Sequence, residues 1–168
     1  MIDRDTFKRM MRASAQLMLE QADALSDIDS RFGDGDHGIT ITKIAKLMNE
    51  RVEAWDDDSL KDFLDELGMG AMAVRGGSAG PLYGTMISGL GVELGDDENE
   101  VSADAARRLF AGALAEMPAI TAAPVGDKTM MDAPIPSEEA APPRDAAPAA
   151  PAAAFSPAAA HPPAGPTP

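Results

Sequence analysis

Four aspartates lie within ten residues of each other in the stretch DIDSRFGDGDHG, residues 27–38. They are Asp27, Asp29, Asp34 and Asp36, and His37 follows directly. Like charges this close repel one another unless water or a cation lies between them. Carboxylate oxygens suit magnesium, which takes its remaining ligands from water and from substrate phosphates. The stretch therefore predicts that Asp29, Asp34 and Asp36 hold one or two such ions. A solvated acidic loop, in which Asp36 only caps the next helix, is the alternative.

Two familiar loop types do not fit this stretch. Gly33, Gly35 and Gly38 satisfy GxGxxG, but the dinucleotide-binding form needs a preceding strand, and a helical pattern precedes the glycines here. A calcium loop starting at Asp27 places Phe32 where the turn glycine belongs and Gly38 where the bidentate glutamate belongs. The dinucleotide loop and the EF-hand are both excluded.

Two further stretches could take part in binding. Residues 75–84, RGGSAGPLYG, place glycines and Ser78 at the entry to a helix. Backbone amides there can approach an anion closely, although the glycines could equally let two helices pack tightly. Residues 124–133, PVGDKTMMDA, put Asp127, Lys128 and Thr129 on a glycine-led turn, for which a surface turn is an equal alternative.

Helical periodicity dominates the rest of residues 1–132. Apolar side chains recur at intervals of three and four in successive segments, which is typical of amphipathic helices. Asp58 or Ser59, Ser78 and Ser102 are suited to cap the third, fourth and fifth helices. The connections are short and no alternating strand pattern stands out. The sequence therefore predicts an all-α protein built as an antiparallel helical bundle.

Composition limits the classes of function. The chain has 168 residues and a net charge of −14, and such an acidic surface argues against a nucleic-acid partner. It contains no cysteine, which excludes disulfides, thiolate metal sites and a cysteine nucleophile. No run approaches the roughly 18 apolar residues needed to cross a bilayer. We expect a cytoplasmic protein with no membrane partner.

A compositional boundary follows residue 132. In residues 133–168, 25 of the 36 residues are alanine or proline, which leaves almost nothing large enough to pack. We therefore predict a helical domain over residues 1–132 and a disordered tail over residues 133–168.

The three stretches, in this order, resemble the L subunit of dihydroxyacetone kinase, the nucleotide-binding half of that enzyme. The resemblance rests on Asp29 with the GDGDHG of residues 33–38, on GGSAGPLYG and on GDKTMMDA. It covers roughly the first 133 residues. It implies an eight-helix antiparallel barrel with a nucleotide at one end.

The resemblance also implies roles for individual residues. Asp29, Asp34 and Asp36 match aspartates that carry two magnesium ions, and these ions bridge the phosphates of ADP or ATP. The residues matching those that lie against the nucleotide are His37, Gly38, Thr40, Ser78, Ala79 and Met130.

The implied partner is a K subunit that holds dihydroxyacetone covalently and receives the γ-phosphoryl group. In some members bound ADP is rephosphorylated by a phosphotransferase-system protein, and in others ATP exchanges. Relatives also phosphorylate four-carbon ketoses.

The sequence departs from the family in two places. Thr40 stands where an asparagine is frequent, and the Ala/Pro tail stands where further helices close the barrel. We hypothesise that a frameshift in a GC-rich gene produced this tail. An open barrel would expose apolar stripes and favour association, including a homodimer. A truncated, non-catalytic relative that binds only its partner or a metal is the alternative function.

Overall fold

A computed structural model describes residues 1–123 and 129–132, and all structural statements below concern these residues. They form five α-helices, which confirms the predicted all-α architecture. The helices are α1 (Arg4–Asp29), α2 (His37–Ala54), α3 (Leu60–Met72), α4 (Ala79–Val92) and α5 (Ala103–Glu116). Short 3-10 turns follow at Met117–Ala119 and Met130–Asp132. Among the described residues, an isolated antiparallel bridge between Ile2 and Val101 is the only strand-like pairing.

Helix starts follow the local sequence. The side chains of Asp3, Ser59 and Ser102 each accept a hydrogen bond from the backbone amide three residues later, at 2.8 to 3.0 Å. Of the two predicted caps for α3, Ser59 is therefore the one used. Asp36 precedes α2 but makes no capping hydrogen bond with its side chain. Helix capping thus does not account for this carboxylate.

The core lies between neighbouring helices in chain order. α1 packs on α2, α3 on α4, and α4 on α5, with α2 also touching α3 and α4. Its fully buried side chains come mainly from α2 and α3: Ile41, Ile44, Val52, Leu60, Leu64 and Leu67. At one end, Trp55 stacks on Phe63 at 4.1 Å and meets the edge of Phe7 at 6.1 Å. No described helix combines the length and apolar character that a membrane crossing requires.

Candidate functional site

Three carboxylates meet in the connection between the first two helices. Asp29 is the last residue of α1, and Asp34 and Asp36 lie in the short loop that leads to His37, the first residue of α2. One oxygen from each carboxylate lies within 4.8 Å of the others. The backbone amide of His37 also points to Asp29 Oδ2 at 3.4 Å. An all-oxygen set this compact fits a hard divalent cation such as magnesium.

Without a bound cation, the surroundings of Asp36 disfavour the ionised form of its carboxyl group. The pKa of Asp36 is raised, first because the loop partly desolvates its carboxyl group and second because Asp34 and Asp29 repel its charge. The positive charge of Lys43 lowers the pKa of Asp36 and offsets only a small part of this effect. Ionisation of Asp36 therefore opposes folding when no cation is bound.

This charge repulsion leads to a stability prediction for Asp36→Asn. A carboxyl pKa raised in the folded state means that Asp36 contributes most to stability below its ordinary pKa, and less as the pH rises through the raised value. At pH 7 without divalent cations, the variant should therefore melt at a higher temperature than the wild type. The difference should disappear near pH 3, where the wild-type carboxyl is protonated. Thermal denaturation followed by circular dichroism, in EDTA at both pH values, measures this, and a lower melting temperature at pH 7 would contradict it.

A glycine turn faces the carboxylates. Gly76 and Gly77, between α3 and α4, have φ values of +147° and +52°, which side-chain-bearing residues rarely adopt. A Cβ atom on Gly76 would lie 2.0 Å from Thr40 Oγ1, so the turn rests directly on α2. Lys43 Nζ donates a hydrogen bond of 2.8 Å to the carbonyl of Arg75. The same helix that begins at the carboxylate loop therefore also holds the glycine turn in place.

The carboxylates and the glycine turn line one small polar recess. It has a volume of about 170 Å³, and it is lined by Asp29, Asp34, Asp36, His37, Gly76, Gly77, Ser78 and Ala79. Ser78 precedes α4 without making a capping hydrogen bond through its side chain. The first amides of this 14-residue helix thus lie at the wall of the recess, an arrangement that favours anions.

A larger, mainly apolar cleft continues from this recess. It has a volume of about 530 Å³, within the range of small-molecule sites. Asp29, His37, Ser78 and Ala79 line both spaces, so the two are contiguous. Burial raises the pKa of Tyr83 in the cleft wall, so its phenol stays protonated at neutral pH. The other lining residues are Leu25, Ile28, Leu82, Thr121, Thr129, Met130 and Met131.

The structure brings most of the predicted site residues to this one cleft. Seven of them line its two parts: Asp29, Asp34, Asp36, His37, Ser78, Ala79 and Met130. Gly38 and Thr40 lie behind the wall instead, and Thr40 is only 1% exposed. Its hydroxyl has no hydrogen-bond partner among the described residues. The predicted Asp127 and Lys128 lie outside the described residues.

On the α-helices, four cleft residues were not predicted from the sequence: Leu25, Ile28, Leu82 and Tyr83. Outside the α-helices, Thr121 and Met131 were not predicted either. Leu25, Leu82 and Tyr83 lie about one helical turn from a predicted site residue, and Ile28 is directly next to one. Leu25 and Ile28 precede Asp29 by four and one positions, and Leu82 and Tyr83 follow Ala79 by three and four positions. Helical spacing from the polar residues could have found most of them.

The fold and the cleft define the class of this protein: an all-helical domain whose interhelical loops converge on an acidic, glycine-hinged recess. The profile of the DAK2 domain family matches residues 31–163. The chain belongs to this family, which confirms the resemblance seen in the three sequence stretches. The match extends past residue 132, and the domain boundary at that position stays a prediction.

Individual relatives agree with this assignment. The chain is 31% identical over 142 residues to the ADP-binding subunit DhaL of PEP-dependent dihydroxyacetone kinase 2 from Listeria innocua serovar 6a, covering 82% of this chain and 64% of that protein. It is 31% identical over 136 residues to D-erythrulose kinase from Mycolicibacterium smegmatis, covering 78% and 23% of the two chains. It is 25% identical over 120 residues to the corresponding ADP-binding subunit from Escherichia coli, covering 71% and 57%.

The lengths of these relatives differ from that of the chain. The chain spans less than two thirds of the two Listeria innocua ADP-binding subunits that it matches, 64% of one and 65% of the other.

Proposed function

We propose that the chain is the nucleotide-binding subunit of a dihydroxyacetone kinase, which takes ADP or ATP together with magnesium. The single observation that carries this proposal is the continuity of the three-carboxylate recess with an apolar cleft of about 530 Å³. A nucleotide has the same two parts, a polyanionic chain and a flat apolar base. The names of the ADP-binding relatives support the same ligand.

In this proposal, different residues of the chain bind the metal ions, the phosphates and the base of the nucleotide. Asp29, Asp34 and Asp36 hold one or two magnesium ions, and bound magnesium neutralises the phosphate charge that these carboxylates would otherwise repel. His37 and the start of α4 at Ala79 lie beside the phosphates. The base lies in the apolar cleft among Leu25, Ile28, Leu82, Tyr83 and Met130.

Phosphoryl transfer depends chiefly on positioning and on charge neutralisation. The bond between the γ-phosphorus and its bridging oxygen breaks, so that ADP leaves with the bridging oxygen. A hydroxyl oxygen of a short ketose bonds to the same phosphorus, and the hydroxyl proton is released to solvent. Because the ketose is held by a partner K subunit in this proposal, the open end of the recess faces the partner. The phosphoryl donor is either ATP or a phosphotransferase-system protein that rephosphorylates bound ADP.

Isothermal titration calorimetry with ADP tests the binding part of the proposal. We expect binding in magnesium and at least about tenfold weaker binding in EDTA, because two unit charges 4 Å apart repel by about 1 kcal/mol even in bulk water and several such pairs form here. Pyrophosphate with magnesium serves as a control that lacks the base and should bind more weakly than ADP. Equal ADP affinity with and without magnesium would overturn the proposal.

The composition of residues 133–168, where 25 of 36 residues are alanine or proline, favours one second candidate, a non-catalytic relative that binds a partner or a metal but transfers nothing. Adding a K subunit, dihydroxyacetone and a phosphoryl donor distinguishes the two. Product formation that requires this chain supports the kinase subunit, whereas metal-dependent binding without product supports the second candidate.

A further inference from the structure

One side of α1 is uncharged and exposed along most of its length. We call this stripe the outer face of α1, and its residues recur mainly at intervals of three and four: Met10, Ala13, Ser14, Leu17, Gln21 and Ala24. Leu17, near its middle, is 53% exposed. The core-facing residues of the same helix are Phe7, Ala15 and Ala22. Among the described residues, α2 is the only helix that packs extensively on α1. An uncharged face of this length on an edge helix is typical of a contact surface.

The remainder of this chain is a poor match for that face. Residues 133–168 contain 11 prolines, and Ile135 and Phe155 are their only large apolar side chains. A second copy of α1 offers an uncharged stripe of the same length and small residues that permit close approach.

The charges of α1 specify how two copies would pair. Along one edge of the outer face, Arg9 lies in the first half of the helix, and Glu20 and Asp27 lie in the second half. The other basic residues, Arg4, Lys8 and Arg12, lie on the opposite side of α1, where they bond to residues 53–58. A parallel pair would place like charges together, whereas an antiparallel pair places opposite charges together.

Two of these charges set the register. Arg9 and Asp27 are 18 residues apart, which is five complete turns, so they lie along the same edge of the outer face. In the described part of the chain, neither side chain forms an ion pair. An antiparallel arrangement sets each Arg9 opposite Asp27 of the other copy, and the two-fold axis then passes close to Leu17.

We propose that a second copy of this chain docks antiparallel on the outer face of α1, forming a symmetric dimer centred near Leu17. Exposed ion pairs contribute little free energy, so the Arg9 and Asp27 pairs select orientation and register. The apolar residues supply the affinity. This proposal does not depend on the proposed nucleotide site.

The absence of cysteine from the chain allows a direct test by single-cysteine cross-linking. In the proposed register, the two copies of Leu17 are offset by roughly 3 Å along the axis, and Ser14 faces Gln21 of the other copy with an offset of roughly 1.5 Å. The two copies of Ser14 are offset by roughly 12 Å and those of Gln21 by roughly 9 Å, beyond disulfide reach. Under mild oxidation Leu17→Cys should therefore form a disulfide dimer. The Ser14→Cys variant and the Gln21→Cys variant should form a disulfide dimer rapidly only when the two variants are mixed with each other.

The matched control is Met69→Cys on α3, since Met69 is 56% exposed and lies outside the outer face. It should form disulfides slowly and in proportion to random collision. Cross-linking of Leu17→Cys no faster than this control would overturn the proposal. Rapid self-cross-linking of Ser14→Cys would overturn the antiparallel register.

Sedimentation equilibrium of the full chain gives an independent readout. We expect the mass to rise with concentration toward twice 17.5 kDa. Leu17→Glu should raise the dissociation constant of the dimer at least about tenfold, because dimerisation would bury two negative charges next to each other at the two-fold axis. Met69→Glu should leave the dissociation constant unchanged. Arg9→Glu and Asp27→Arg should each weaken the dimer, and the double variant should restore it.

Even a weak but specific dimer should be populated at about 200 µM. A wild-type chain that is still monomeric at that concentration would overturn the proposal. So would a Leu17→Cys thiol that is protected from a maleimide reagent in the monomer, because another part of the chain would then cover the outer face. Circular dichroism of each variant ensures that only folded proteins are compared.

Discussion

Replacing Gly38 with alanine should destabilise the protein by about 3 kcal/mol, the largest effect that we expect of any single methyl group in this structure. Gly38 is buried in the first turn of α2, where that helix crosses α1. A Cβ atom there would lie 1.8 Å from the carbonyl oxygen of Ala22 and 2.6 Å from Ser26 Oγ. Because the nearest obstacle is backbone, the clash can be relieved only by moving one helix away from the other.

Moving the two helices apart would also break a local hydrogen bond. The amide of Gly38 donates to Ser26 Oγ at 3.1 Å, and this bond fixes the start of α2 against the end of α1. Urea denaturation followed by the fluorescence of Trp55, the only tryptophan, measures the loss. Gly95→Ala is the control, since its Cβ would come no closer than 3.7 Å to the atoms around it, and it should change the free energy of unfolding by less than about 0.5 kcal/mol. Equal stability of Gly38→Ala and Gly95→Ala would contradict the prediction.

The helices of this fold could be predicted because their signals are local. Ser59 and Ser102 cap their helices as single residues do in isolated peptides, and apolar periodicity defines each buried stripe without reference to the neighbours. The three aspartates were equally accessible to sequence reasoning, since all of them belong to one short connection.

Features that depend on contacts between helices could not be predicted in the same way. The glycines of residues 75–84 were compatible with either close helix packing or approach to an anion. The structure shows close packing at Gly84, where a Cβ atom would lie 2.6 Å from the carbonyl oxygen of Gly68 on α3. Gly76 and Gly77 instead form the turn that faces the carboxylates. One glycine-rich stretch thus serves two purposes, and only the path of the backbone separates them.

Thr40 illustrates the same limit. The family resemblance implied that Thr40 lies against the nucleotide. In the structure it is buried beneath Gly76, behind the wall of the recess. The apolar half of the cleft was also missed, because periodicity alone assigns Leu25 to the core and cannot show that the core opens at that end of the bundle.

Removing the charge of two carboxylates should abolish magnesium-dependent nucleotide binding. In the variant Asp34→Asn/Asp36→Asn, we expect the affinity for ADP in magnesium to fall at least about 100-fold. Mutation of groups that only orient metal ligands already costs about 10–100-fold in metal affinity, and these two side chains are proposed as ligands themselves. The amide substitutions keep the size of each side chain, so the loop can retain its shape.

Asp27→Asn is the matched control for this variant. Asp27 is an exposed aspartate of α1 two residues before Asp29, and its carboxylate does not belong to the cluster. The Asp27→Asn substitution removes one negative charge from the same end of the molecule. It should leave the affinity for ADP within about twofold of the wild-type value, as expected for an exposed substitution. Calorimetric titration of both variants in magnesium separates the loss of specific ligands from a general change in surface charge.

Stability and binding should change in opposite directions in the double variant. Without divalent cations it should melt at a higher temperature than the wild type, since the desolvation and the repulsion that raise the pKa of Asp36 no longer act on a charged group. Magnesium should raise the melting temperature of the wild type and leave that of the variant unchanged, because only a protein that binds the ion gains stability from it. A variant that is both more stable and unable to bind cannot have lost binding through misfolding. Retention of magnesium-dependent ADP binding by the double variant would mean that these carboxylates do not carry the metal.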